Sequence, residues 1–221
     1  MLANDLIATF LAAQRAFSDR VHAVSGDQWT LPTPDREWTV ADLVWHLVEE
    51  HRWAAPLLSG VDMDAAGAVV ADLYPAGPGR GGAGEGDTGK CSPGPGGPGQ
   101  RDSAPAGPGL VRDWDIAATR SADAFRAYGA LAGSVHIGRG RAPAPEYLAE
   151  MNLDLVVHAW DLGTAIGYPD PLPGDAVAAV YPGARAIVDR TPAGMFAAPV
   201  EVPADAPVLD RLLALTGRTR G

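Results

Sequence analysis

Apolar side chains recur along residues 3–24 at Leu6, Ile7, Phe10, Leu11, Phe17 and Val21, a period near 3.6 that predicts an amphipathic helix. Ser25 to Gln28 breaks that stripe, and Trp29 to Pro34, with two prolines, reads as an ordered loop. A second helix is predicted from Thr39 to about Leu58. Thr39 is its N-cap, with Asp42 three positions on in place of the Glu of a capping box. Residues 113–132 repeat the helical spacing through Trp114, Ile116, Phe125, Tyr128 and Leu131. Ser134–Ile137 and the Gly-Arg-Gly-Arg after it suggest a short extended piece and a turn. A long helix then begins at Pro-Ala-Pro-Glu (143–146) and stops near Gly167-Tyr168-Pro169. Residues 174–188 offer another, through Val177, Val180, Ala184 and Ile187. Phe196–Pro203 is too rich in proline for a central strand. A final short helix has Asp205 as N-cap, Leu209, Leu212, Leu213 and Leu215 inside, and Gly217 as its stop. The pattern predicts a mainly α protein.

Residues 75–109 differ in kind. They hold 13 of the chain's 27 glycines and 7 of its 20 prolines, and no Val, Ile, Leu, Met, Phe, Tyr or Trp. Such a stretch cannot bury enough apolar surface to offset its ordering entropy, so a disordered insert is expected. Its glycines are no phosphate loop, because no strand or helix flanks them.

Composition narrows the function classes. A net charge of −10 with scattered arginines argues against a nucleic-acid partner, which needs clustered positive charge. One cysteine, Cys91, excludes an internal disulfide framework and a Cys-based zinc cluster. Within the insert it is a poor nucleophile, since nothing there lowers its pKa or fixes its geometry. No apolar run approaches the ~20 residues of a membrane span, and no leader pattern opens the chain. A soluble cytoplasmic protein is expected.

The chemistry concentrates in three residues. His46 lies inside the second helix, and Asp154 and His158 lie four apart in the long helix, on one face one turn from each other. Asp154 sits among Leu153, Leu155, Val156 and Val157, where an uncompensated carboxylate is costly. A metal ion, a protonated His158 or a distant arginine could compensate it. Only a metal uses all three residues at once, and two imidazoles with one carboxylate leave a coordination position open. Asp161, three past His158, is a candidate to orient it or to pair with an arginine. His51, about 500° of helix rotation past His46, points away and reads as surface or interface. His22 falls at a helix end, and His136 in the extended piece either reaches the site or has a loop role.

Three blocks of sequence resemble one family. They are Trp29-Thr30-Leu31-Pro32-Thr33-Pro34 with Glu37-Trp38-Thr39-Val40-Ala41-Asp42-Leu43 and His46; Asp154-Leu155-Val156-Val157-His158-Ala159-Trp160-Asp161-Leu162; and the tail from Pro199 to Arg218. Together they resemble the mycothiol-dependent maleylpyruvate isomerase family, within the DinB-like metalloenzymes; residues 75–109 are not shared. The resemblance implies a DinB-like four-helix bundle over residues 1–170, with C-terminal helices and a Pro-rich segment (171–221) packed on it. It implies one divalent ion, zinc or nickel, held by His46, Asp154 and His158. The characterised isomerase has glutamate at the middle position, so Asp154 is a departure whose carboxylate reaches one methylene less far. The implied cofactor is mycothiol or another low-molecular-weight thiol, held as thiolate by the metal and presented to a small electrophile. Several DinB-like proteins are dimers, which leaves a homodimer open.

Three functions stay open on the residues: a thiol-dependent transferase or isomerase, a metal-dependent hydrolase with a metal-bound water, and a non-catalytic metal-binding module. For the hydrolase, Glu49 and Glu50 are nearby carboxylates, and Glu50 shares the face of His46. Arg52, Arg112 and Arg185 are the candidate clamps for a substrate.

Overall fold

In the computed structural model, residues 3–35, 38–74, 107–192 and 195–220 are described. Seven α-helices and one hairpin make up the regular structure among them. The first two helices are α1, Ala3–Ala23, and α2, Val40–Leu58. Between them run a 3-10 turn at Gly26–Thr30 and a bridge pairing Pro32 with Thr39, so the proline loop is ordered as expected. Thr39 caps α2 through a capping box with Asp42: the Asp42 backbone N–H donates to Thr39 Oγ1 (3.3 Å), and the Thr39 N–H donates to Asp42 Oδ2 (3.0 Å).

A short helix follows, α3 (Met63–Leu73), capped by Asp62. It buries only Ala66, which is why the hydrophobic pattern did not announce it. The next helix, α4 (Pro108–Arg126), starts earlier than the spacing predicts, with Gly107 at its N-cap and Pro108 in its first turn. Residues 107–109, assigned to the disordered insert from composition, thus cap and open a helix. The rest of that insert, Cys91 included, lies outside the described residues.

Strands β1 (Ser134–Ile137) and β2 (Gly140–Pro143) form an antiparallel hairpin, and α5 (Ala144–Ile166) leaves it directly. Gly167, at φ +67°, ends α5 in a left-handed cap in which the Tyr168 N–H reaches the Gly163 carbonyl (2.8 Å). Last come α6 (Gly174–Arg190) and α7 (Val208–Leu215). The α7 N-cap is Pro207, not Asp205. Pro207 holds the extended backbone (ψ 146°) that a cap requires.

Helices α1, α2, α4 and α5 form the bundle, with α2 packed most extensively on α4 and α1 on α5. Its core is aromatic at the centre: Phe10 meets Phe125 edge-on at 4.9 Å and Phe17 meets Trp114 at 4.7 Å. Buried polar groups tie the helices in register. Gln14 donates to the Ala118 carbonyl (3.0 Å), Asn152 to the Leu6 carbonyl (3.1 Å), and the Trp114 indole to Ser18 (2.9 Å). No described helix is long and apolar enough to cross a membrane.

His51 departs from expectation. It is not at the surface but 1% exposed, stacked on Phe10 (5.8 Å) and edge-on to Trp114 (4.8 Å). Its rotation away from His46 is as predicted, but that side of α2 faces α1 and α4 rather than water. Its Nδ1 bonds to the Leu47 carbonyl (2.8 Å), while its Nε2 has no hydrogen-bond partner among the described residues. Burial pushes its pKa down from 6.5 to about 4. Between those values the unfolded chain binds a proton that the folded one refuses. Stability is therefore intact above pH 6.5 and falls as pH drops toward 4, by up to about 3 kcal/mol. Denaturant titrations at pH 7 and pH 4.5 should show that loss, and His51→Phe should remove most of the difference.

Candidate metal centre

The bundle brings together the three residues singled out from sequence. His46, on α2 with Leu43 and Leu47 buried beside it, faces Asp154 and His158 on α5. His46 Nε2 lies 3.3 Å from Asp154 Oδ2, and His158 Nε2 lies 3.3 Å from Asp154 Oδ1. One ligand atom from each residue falls within 4.8 Å of the others. The imidazoles are nearly sealed, at 5% and 6% side-chain exposure, whereas Asp154 keeps 17% and so marks the open side. Trp38, just before α2, packs its ring 4.7 Å from that of His46 and 5.5 Å from that of His158. It walls one flank of the cluster.

Behind His158 stands a second layer. The His158 Nδ1–H donates to Asp161 Oδ2 (3.1 Å), and Asp161 is fully buried. Arg218, beyond α7, donates through Nη2 to the same oxygen (3.0 Å), through Nη2 to Asp35 (2.9 Å) and through Nη1 to the Thr216 carbonyl (2.8 Å). Both roles foreseen for Asp161 are realised: it orients the ring and pairs with an arginine. An acceptor at Nδ1 keeps the proton there, leaving the Nε2 lone pair to aim into the cluster.

The electrostatics follow from this arrangement. Burial alone would lower the His158 pKa, but Asp154 and Asp161 outweigh it and lift it to about 9. Burial opposes ionisation of Asp154 as well, yet the two imidazoles hold it well below the usual carboxylate range. The cluster is thus an anion waiting for a cation, whether a proton on His158 or a metal ion. The donor set, two imidazole nitrogens and a carboxylate oxygen, fits a divalent metal ion.

A model of the mycothiol maleylpyruvate isomerase N-terminal domain matches residues 10–163. The chain belongs to this family. Two Mycobacterium tuberculosis proteins are similar to it, Rv0738 of strain H37Rv and MT0763 of strain CDC 1551, both uncharacterized. Each is 28% identical over 214 residues, covering 94% of this chain and 94% of its own. No solved structure matches significantly.

The family match spans all three cluster residues, and the remaining candidates lie away from them. His22 pairs with Asp115 at the exposed end of α1 (2.9 Å), and His136 lies half-buried in β1. Among the arginines named as clamps, Arg52 is buried against the rings of Trp45 and Tyr74, Arg112 is exposed, and Arg185 pairs with Asp189 along α6. None joins the cluster. Arg218 does reach its second layer, and nothing in its Arg-containing tail signalled that from sequence. Glu50, one turn past His46, is half-buried, with a pKa raised by burial and then by Asp154.

Two outcomes are expected. Because His158 must give up its Nε2 proton to coordinate, apparent zinc affinity should rise about tenfold per pH unit up to about pH 9; competition with a chromogenic chelator reads this directly. Asp161→Ala removes the ring's anchor and should weaken metal binding roughly 10–100-fold in the same assay while the circular dichroism spectrum stays helical.

Proposed function

We propose that the chain is a divalent-metal-binding enzyme, a thiol-dependent transferase or isomerase of mycothiol type acting on a small electrophile. The observation that carries this reading is the convergence of His46, Asp154 and His158 from α2 and α5 in a chain of this family. A bound zinc or nickel ion would supply the positive charge that keeps a thiol in its thiolate form at neutral pH. The chain's own residues do the rest. His46 and His158 offer neutral nitrogen donors, and Asp154 offers the one anionic donor. Asp161 and Arg218 fix the tilt of His158. Trp38 keeps water off one flank. On this proposal residues 1–170 form the metal-binding bundle, and 171–221 act as a C-terminal unit that delivers Arg218.

A second reading, metal-dependent hydrolysis, is favoured by one observation. Glu50 makes no hydrogen bond or ion pair among the described residues, and its carboxyl is pushed up by burial and by Asp154. A base so placed could take the proton from an attacking water. Thiol binding separates the two readings: a thiol titration that saturates with metal and vanishes with chelator supports the first.

His158→Ala should abolish stoichiometric metal in elemental analysis of the purified protein and leave most of the helicity in place. Unchanged metal content would move the site elsewhere.

A further inference from the structure

One turn before Asp154 on α5, about 6 Å away on the same face, stands Glu150. Two guanidinium groups converge on its carboxylate. Arg139, in the turn between β1 and β2, donates through Nη1 (2.9 Å) and Nη2 (2.5 Å). Arg190, the last residue of α6, donates through Nε (3.0 Å) and Nη2 (2.7 Å). Each guanidinium carries five N–H donors in a planar fork suited to oxyanions. Arg139 Nε and Arg190 Nη1 make no hydrogen bond among the described residues. Both arginines remain about one-third exposed, at 36% and 32% of the side chain.

Arg141, two residues beyond Arg139, points the other way, toward the open end of the hairpin. It bonds Ser134 but no carboxylate among the described residues. Two guanidinium groups thus share one carboxylate, in a chain whose net charge is −10.

We propose that Arg139 and Arg190 form an anion-binding subsite at the rim of the His46–Asp154–His158 cluster, taking the carboxylate or phosphate of a small ligand. It extends the metal reading, because a ligand anchored there lies one helical turn from Asp154. The anion site itself stands on the arginines alone. The competing view is a staple that merely joins hairpin, α5 and α6, and the two views predict opposite behaviour at Glu150. Removing that carboxylate frees both forks for an incoming anion, but breaks a staple.

The test is calorimetric titration of the full chain with succinate and, separately, with inorganic phosphate, for the wild type and for Arg139→Gln, Arg190→Gln and Glu150→Gln. The two arginine variants should bind the better probe at least tenfold more weakly, and Glu150→Gln should bind it as tightly as wild type or more so. Preference for succinate assigns a carboxylate ligand, and preference for phosphate a phosphorylated one. A Glu150→Gln loss equal to the arginine losses, or no saturation by either probe in the wild type, overturns the proposal. Nitrogen-detected NMR of the arginine Nε–H groups in the wild type gives a check that needs no variant: Arg139 and Arg190 must shift on titration. Repeating the titration after chelator treatment separates this proposal from the metal reading. Anion binding that survives metal removal supports the subsite whatever the metal content, and binding lost with the metal overturns the arginine assignment.

Discussion

A carboxylate set into the apolar stretch of α5 is the constraint from which the rest of the site follows. Asp154 is flanked by buried leucine and valine, and a lone charge there would cost several kcal/mol. The bundle meets that cost by bringing His46 from α2 and His158 from one turn along α5, so that each carboxylate oxygen faces one imidazole nitrogen at 3.3 Å. Without an ion the triad holds itself together by proton sharing, which keeps the donors gathered. Preorganisation of this kind reduces the ordering that metal capture would otherwise require.

The supports of the triad come from distant parts of the chain. Asp161 holds His158, Arg218 holds Asp161, and the same guanidinium reaches Asp35 in the loop that carries Trp38. One arginine thus fixes both a candidate ligand and the aromatic wall beside it. Its charge is itself secured: burial would lower its pKa, but Asp161 and Asp35 raise it. Three of these ionic groups, His158, Asp161 and Arg218, are buried, Asp35 is 30% exposed, and each is paired with the next.

Much of this was legible from residue spacing, and the failures have physical causes. The Thr39–Asp42 cap and the Gly167 stop follow from local backbone chemistry, which a short window contains. Asp154 and His158 share a face because helical geometry alone puts them there. His51 was misplaced because rotation about one helix says which residues diverge, not what lies on the other side. In a bundle a central helix has neighbours on several sides. Helix α3 carries Met63, Ala66, Val70 and Leu73 at helical spacing, yet it is short and buries only Ala66. Arg218 and Asp161 meet only through the tertiary fold, so no window along the chain could pair them.

The Arg218–Asp35 contact spans 183 positions of sequence. Closing so large a loop is among the slowest events in assembling a domain, since entropy is spent before the contact gives anything back. The pairing of Arg218 with Asp161, 57 positions apart, likewise requires the chain beyond α7 to lie against α5. The orientation of His158 is therefore a property of the assembled fold and not of α5 alone.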